Sequence, residues 1–309
     1  MFEINRIDHI GLIVDEFEPV VKLFELLLGF RVGSPLVRSG YIGVDMEIPG
    51  TKGISIEILK SDKSPISKKS SLINKKAAIH HVGLHIKNLP LAINFVNELY
   101  MEALGDERSD QFVPFEAKLR SDSEGQFFHI APGWKYDSDF YYEIFDGESL
   151  HLPNYFLDNV ARGIGIKKLN AWAHVSNDDV SLSDWYERLF GLETVYYWNP
   201  SPVDYGFSVR TLKFLENEMN VEILKPLKAD SYMQKFLDEF GCSIHHISFE
   251  VENIDSVSQI CDQFRIEVLG LHSGVGEKGK WHECFIAPPQ IRGLLIHFFS
   301  WEIQSLATV

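Results

Sequence analysis

The stretch Ile79-His80-His81-Val82-Gly83-Leu84-His85-Ile86 has a near-copy at Ile244-His245-His246-Ile247-Ser248-Phe249-Glu250-Val251. No other feature constrains the fold as much, because a strand that recurs with the same flanks implies a repeated structural unit. Both copies read as short β-strands in which apolar and β-branched residues alternate, with His81, Gly83 and His85 on one face. Each is followed by an asparagine, Asn88 or Asn253, and then by an amphipathic helical stretch over residues 89–100 or 254–264. Weaker copies open the two halves. Ile7-Asp8-His9-Ile10-Gly11-Leu12-Ile13-Val14 precedes a helix over 16–28, and Leu169-Asn170-Ala171-Trp172-Ala173-His174-Val175 precedes one over 179–190. Strand-then-helix starts therefore recur at intervals of about 70 to 90 residues.

Further strand signals complete each unit as βαβββ. In the first, Gly29 stands where a helix C-cap is wanted, and strands follow from residue 30, over 41–48 and over 53–59. The second has a longer polar segment over 105–120 and strands over 126–130 and 139–145. The third has strands over 193–198, 207–214 and 220–224, then a short connecting helix within 226–240. The fourth has strands over 266–269, 281–287 and 294–301, with a Gly-rich turn over 274–279. The expected fold class is α+β, with four βαβββ modules paired into two domains of curved mixed sheet, residues 1–150 and 165–309. Residues 61–76 read as a polar connector and 146–166 as the linker between halves.

At 309 residues the chain is long enough for two full cores. A formal charge of −15 disfavours a general nucleic-acid or anionic-membrane surface. No apolar run reaches the roughly 20 residues of a membrane helix, and the N-terminal residues lack a signal-peptide pattern. Cys242, Cys261 and Cys284 have no CxxC spacing, which points to buried thiols in a reducing compartment and hence a cytoplasmic location. The partners expected are a small-molecule substrate and at most a second copy of the chain, with no nucleic acid and no membrane.

This arrangement resembles the vicinal oxygen chelate superfamily of glyoxalase I, methylmalonyl-CoA epimerase and extradiol dioxygenases, over nearly the whole chain. The local pattern is similar to methylmalonyl-CoA epimerase, through Asp8-His9 on the first strand, Ser55-Ile56-Glu57-Ile58-Leu59, and His80-His81-Val82. A four-module epimerase of cyclitol precursors, such as 2-epi-5-epi-valiolone epimerase, is a further protein it resembles. The resemblance implies metal ligands at His9, Glu57, His81 and Glu143, the last in Phe140-Tyr141-Tyr142-Glu143-Ile144-Phe145. It places them in the cup of a curved sheet, with His85, Tyr141, His246 and His297 as further pocket residues. Two imidazoles and two carboxylates suit a divalent Zn, Ni, Co, Mn or Fe ion. His80 is expected to point away from the cup, since neighbours on a strand alternate. In the second half the matching positions read Asn170, Glu222, His246 and His297, which implies a degenerate site, with His174 on the face of Asn170.

A metal in such a cup chelates neighbouring oxygens of a substrate and acidifies the adjacent C–H. Carboxylates on either side of that carbon can then remove and return the proton. Glu57 and Glu143 fit these catalytic roles, with Asp45 and Glu47 as alternatives. The expected function is a metal-dependent epimerase or isomerase working through an enediolate on an α-hydroxy ketone, cyclitol, keto-sugar or acyl-CoA. The alternatives are a glyoxalase-type lyase, a ring-cleaving or keto-acid dioxygenase with non-haem iron, and a non-catalytic ligand-sequestering resistance protein.

Overall fold

The computed structural model describes residues 3–38, 41–51, 53–61, 77–92, 94–95, 98, 119–122, 125–130, 141–146, 163–199, 205–214, 219–276, 279–291 and 293–302. The first half contains β1 (Ile4–Val14), α1 (Phe17–Leu23), β2 (Arg31–Arg38), β3 (Tyr41–Glu47), β4 (Ser55–Ser61), β5 (Ala77–Ile86), β6 (Leu119–Asp122), β7 (Gly125–Ile130) and β8 (Tyr141–Asp146). The second half contains β9 (Ile166–Val175), α2 (Asp179–Phe190), β10 (Glu193–Trp198), β11 (Phe207–Lys213), β12 (Asn220–Pro226), α3 (Tyr232–Phe240), β13 (Ser243–Val251), α4 (Ile254–Gln263), β14 (Val268–Gly276), β15 (Gly279–Ile286) and β16 (Ile296–Glu302). The strands form two eight-stranded sheets, ordered β2-β3-β4-β1-β5-β8-β7-β6 and β10-β11-β12-β9-β13-β16-β15-β14. This is the α+β architecture expected from the repeats, with the same strand order in both halves.

The order has a direct consequence for function. Within each module the first strand pairs in parallel with the last, as β1 does with β4 and β13 with β16. The two modules of a half then join antiparallel through their first strands, β1 with β5 and β9 with β13. The four repeated strand starts are thus central, side by side in pairs, rather than at the rims. Alternation assigns the faces. Ile10, Leu12, Val14, Ile56 and Ile58 are buried together with Val20, Phe24 and Leu27 of the helix that follows β1. Each such side chain contributes about 1.5–3 kcal/mol on burial. His9, Gly11 and Glu57 occupy the opposite face.

Local chemistry fixes the helix ends. Asp178, Ser231 and Asn253 accept from the backbone N–H groups of Ser181, Gln234 and Asp255, each an N-cap. Helix α1 continues as one π-helical turn (Phe24–Leu28), closed by Gly29 at φ 76°. The expected helix over 16–28 therefore changes its winding halfway. Other boundaries shift as well. Strand β2 runs to Arg38, and β14 runs to Gly276, so most of the expected Gly-rich turn is strand. Of the linker expected over 146–166, residues 147–162 lie outside the described residues, as do 62–76 of the polar connector.

The two sheets share one core rather than sitting apart. Phe30 meets Phe249 edge-on at 5.6 Å, and the Leu169 N–H donates to Thr51 Oγ1 at 2.8 Å. Gly50, at φ 68°, lies so close to the Lys167 carbonyl that any Cβ there would overlap it. His174 was expected on the face of Asn170; it lies instead within the helix-side core. Its Nδ1 meets the Tyr186 hydroxyl at 3.0 Å and its Nε2 meets Cys242 Sγ at 3.4 Å. Full burial pulls this imidazole down to about 3.

Two outcomes follow. Thr51→Val should leave the Leu169 N–H unsatisfied and lower stability in urea by about 1–3 kcal/mol, whereas Thr51→Ser should retain most of it. Because the His174 folded-state value is depressed, the unfolded chain binds the extra proton below pH 6.5. Stability should therefore fall as pH drops from 6.5 towards 3, by up to about 1.4 kcal/mol per pH unit from this group. Urea midpoints across that range should show a smaller slope in His174→Asn.

Candidate metal centre

The pairing of β1 with β5 sets the site. His9 stands opposite Gly83 and Gly11 opposite His81, so the two imidazoles cross over the two glycines in a pseudo-twofold arrangement. A Cβ on Gly11 would overlap the His81 ring, and one on Gly83 would overlap the His9 ring. Glycine is required at both places for room. The ring nitrogens converge, with His9 Nε2 and His81 Nε2 2.9 Å apart. Glu57 on β4 stands beside Gly11, and its Oε2 lies 3.6 Å from His9 Nε2 and 3.8 Å from His81 Nε2. All three residues are buried, and one ligand atom from each lies within 4.8 Å of the others. Two nitrogens bound to one ion at about 2.1 Å and a right angle stand about 3 Å apart. The donor set therefore fits a divalent transition ion.

The supporting shell explains how the rings are aimed. Each first-strand pair carries β-bulges, where two residues on one strand oppose a single residue on the other. One bulge places Asp8 beside His9, between the pairs Ile7–Leu84 and His9–Gly83. Another places His80 beside His81, between the pairs Gly11–His81 and Leu12–Ile79. Asp8 Oδ2 lies 2.9 Å from His9 Nδ1, and its Oδ1 accepts from His85 Nε2 at 3.1 Å. Burial alone would raise the Asp8 carboxyl. The contacts from His85 and His9, with Arg6 beside them, outweigh it and hold the group well below the usual carboxylate range. His80 is expected to point away from the cup; the second bulge sets its ring beside that of His81. Their Nδ1 atoms lie 3.0 Å apart, with rings edge-on. With Nδ1 engaged on both histidines, by a carboxylate at His9 and by an imidazole at His81, each presents Nε2 to the shared point.

The remaining expected residues divide into three groups. His85 does not join the ligand trio; it holds Asp8. Glu143 and Tyr141 stand on β8 with their Cα atoms registered to Gly83 and His81, and their side chains lie outside the described residues. Asp45 pairs with Glu57 and Glu47 with Ser55 across β3 and β4, both half-buried rather than exposed. Burial raises the Glu47 carboxyl, Asp45 raises it further, and Arg31 at 3.7 Å opposes the shift. Asp8 and His80 carry positioning roles that the sequence reading missed. The available signal was adjacency, since each immediately precedes a ligand-type histidine.

In the second half the register matches His9 with Ala171 rather than Asn170, because Asn170 occupies the bulge that Asp8 fills in the first half. Ala173 opposes both His246 and Glu222, as Gly11 opposes His81 and Glu57. His245 Nδ1 meets His246 Nδ1 at 2.8 Å, repeating the His80–His81 contact. His297 stands on β16 beside Ser248, and its Nε2 lies 3.3 Å from Glu283 Oε2. Among the described residues, only His9, Glu57 and His81 bring three such donors within mutual reach.

Paired βαβββ modules whose first strands meet at a cup define the glyoxalase-like fold. The family model described as the Glyoxalase/Bleomycin resistance protein/Dioxygenase superfamily matches residues 172–285. A mutant of 4-hydroxymandelate synthase from Streptomyces coelicolor superposes at a TM-score of 0.69, with 11% identity, over 99% of this chain and 94% of that one. The Mn(II)-bound glyoxalase from Novosphingobium aromaticivorans gives 0.60, with 12% identity, over 97% and 83%. The Bacillus subtilis (strain 168) uncharacterized protein YqjC is 24% identical over 131 residues, 41% of this chain and 90% of its own. The likeness over nearly the whole chain shows a glyoxalase-like fold, and the family-model match lies within the second half.

Replacing Asp8 by Ala frees His9 Nδ1 and should weaken metal binding about 10- to 100-fold without abolishing it. His81→Ala should remove binding at this cup altogether. Competition titration with a chromogenic chelator separates the two outcomes, and equal loss in both variants would contradict a positioning role for Asp8.

Proposed function

We propose that the chain is a metal-dependent epimerase or isomerase acting through an enediolate on a small substrate with vicinal oxygens. The observation that carries this reading is the buried His9–Glu57–His81 trio with Asp45 in register beside Glu57. His9, Glu57 and His81 would hold the ion, and Glu143 is the proposed fourth ligand. A divalent ion there supplies Lewis-acid polarisation of a carbonyl oxygen.

The chain's own groups supply the rest. Asp8 and His80 fix the ring orientations, so little rearrangement is needed when a ligand arrives. Glu57 is the proposed base on one side of the reacting carbon and Glu143 its counterpart on the other. An epimerase takes a proton from one face and delivers it to the opposite one, which requires two proton-active groups. Glu47 is a further candidate for holding a proton, because burial raises its carboxyl, with Arg31 opposing the shift. The helix-backed core beneath the sheet keeps these groups on rigid strands rather than on loops. We further propose that the active assembly is a single chain or a pair of identical chains.

The test is incubation of the metal-loaded protein in deuterium oxide without oxygen, with a panel of α-hydroxy ketones and acyl-CoA thioesters. Deuterium should appear at the carbon beside the carbonyl in both epimers. Glu57→Gln should reduce interconversion by at least about 100-fold, the usual scale for loss of a general base. Turnover that requires dissolved oxygen would instead support the dioxygenase alternative and end the enediolate reading.

A further inference from the structure

Strands at the edge of a sheet are ordinarily kept from pairing with other chains by charges, prolines or bulges. In the first sheet, β2 carries Arg31 and Pro35. In the second, β14 is bent by a bulge next to Gly270, which sits at φ 60°. The opposite edge of that sheet, β10, has a different character. Its one charged residue is Glu193 at the start, and Thr194-Val195-Tyr196-Tyr197-Trp198 follow. All six residues are exposed, with Val195, Tyr196, Tyr197 and Trp198 at 42%, 43%, 48% and 37%. Single exposed apolar residues are normal, whereas four in succession on one sheet edge form a contiguous patch. The bulge in β10 falls at Val195, and beyond it Tyr196, Tyr197 and Trp198 run in regular register against Thr211, Arg210 and Val209.

The patch is held from behind. Thr194 Oγ1 donates to Glu187 at 2.9 Å, which ties the start of the strand to α2. The Arg210 guanidinium lies 4.5 Å from the centre of the Tyr197 ring and donates to Asp179 Oδ2 at 3.0 Å. Lys225 donates to the other oxygen of Asp179 at 2.9 Å, so this buried carboxylate fixes both cations. Tyr196 and Trp198 stand on the concave face with Thr211 and Val209, and Tyr197 stands on the helix side with Arg210. A strand fixed in this way can add a further strand at little ordering cost.

The occupant that fits is the same strand of a second copy. Antiparallel pairing about a twofold axis at Tyr197 sets Tyr196 of each copy opposite Trp198 of the other, and the two Tyr197 residues opposite each other. Aromatic pairs in directly opposed positions are among the favourable cross-strand contacts. Residues 195–199 carry no charge, in a chain whose formal charge is −15. Two copies repel each other over most of their surface, and this edge lets them meet without opposing carboxylates. We infer that β10 is a dimer interface, joining the second sheets of two chains into one continuous sheet across a twofold axis at Tyr197. Tyr, Trp and Arg, the residue types gathered here, dominate the energetics of such contacts. The contact is isologous and closes on itself, so it yields a pair and not a fibre. It is independent of the chemistry proposed for the first cup, and it narrows the assembly to two identical chains.

Sedimentation velocity of the tag-free full chain at micromolar concentrations tests this without reference to turnover. The natural sequence should sediment as a dimer, and Tyr196→Lys and Trp198→Lys as monomers with unchanged far-ultraviolet circular dichroism. Trp198→Phe, which keeps an aromatic pair, should remain dimeric. Mild oxidation of Tyr197→Cys should give a covalent dimer, because the two new thiols meet at the axis within disulfide reach. Glu193→Cys, four residues from the axis, should not crosslink, and the native Cys242, Cys261 and Cys284 are buried. Should a lysine variant lose its circular dichroism, the two cysteine variants decide the matter alone. A monomer at every concentration would overturn the inference, as would a dimer that survives both lysine substitutions. A ladder of higher species would overturn the closed twofold pairing. Crosslinking of Glu193→Cys as readily as Tyr197→Cys would overturn the axis at Tyr197.

Discussion

Everything at the candidate centre depends on the antiparallel pairing of β1 with β5. That contact places His9 over Gly83 and His81 over Gly11, and two of its three bulges bring Asp8 and His80 alongside the rings they orient. A slip of one residue would turn every side chain of a strand to the other face. The register is secured from below, because Ile10, Leu12, Val82 and Leu84 are fully buried. Hydrophobic burial beneath the sheet thus sets the positions of polar atoms above it.

Burying two imidazoles and a carboxylate together is costly unless each polar atom finds a partner. In the first half the two imidazoles meet that requirement through a chain of polar contacts running from Arg6 through Asp8 to His9 and on to His81 and His80. The cluster is therefore ordered before any ligand arrives, and the shared point between the Nε2 atoms is defined by the protein alone. Such preorganisation is what a Lewis-acid site needs, since reorganisation at the moment of reaction would raise the barrier.

The two halves show how one frame carries different contents. Strand order, bulge positions and the paired-histidine contact are the same, whereas the residue opposite the fourth module's first strand changes from His9 to Ala171. Fold and site are separable for this reason: backbone pairing tolerates any side chain of suitable size, and the chemistry lies in which side chains occupy the concave face. A likeness of overall structure to a hydroxymandelate synthase and to a glyoxalase accordingly speaks to the frame.

The sequence by itself determined the repeat, the α+β modules and the residue types of the trio, because strand alternation and helix caps are local properties written in consecutive residues. Gly29, Gly191 and Asn253 mark helix ends in the structure where local rules put them. Tertiary structure decided what alternation could not. A bulge adds one residue to one strand of a pair, and its place depends on the partner strand, so His80 beside His81 and Ala171 in the place of His9 were both hidden from a single-strand reading. His174 illustrates the same limit. Its neighbours Tyr186 and Cys242 lie 12 and 68 residues away in sequence, and only the folded chain brings them to its ring. Distances of a few ångströms between residues as far apart as His9 and His81 follow from strand order and register, which are properties of the whole sheet.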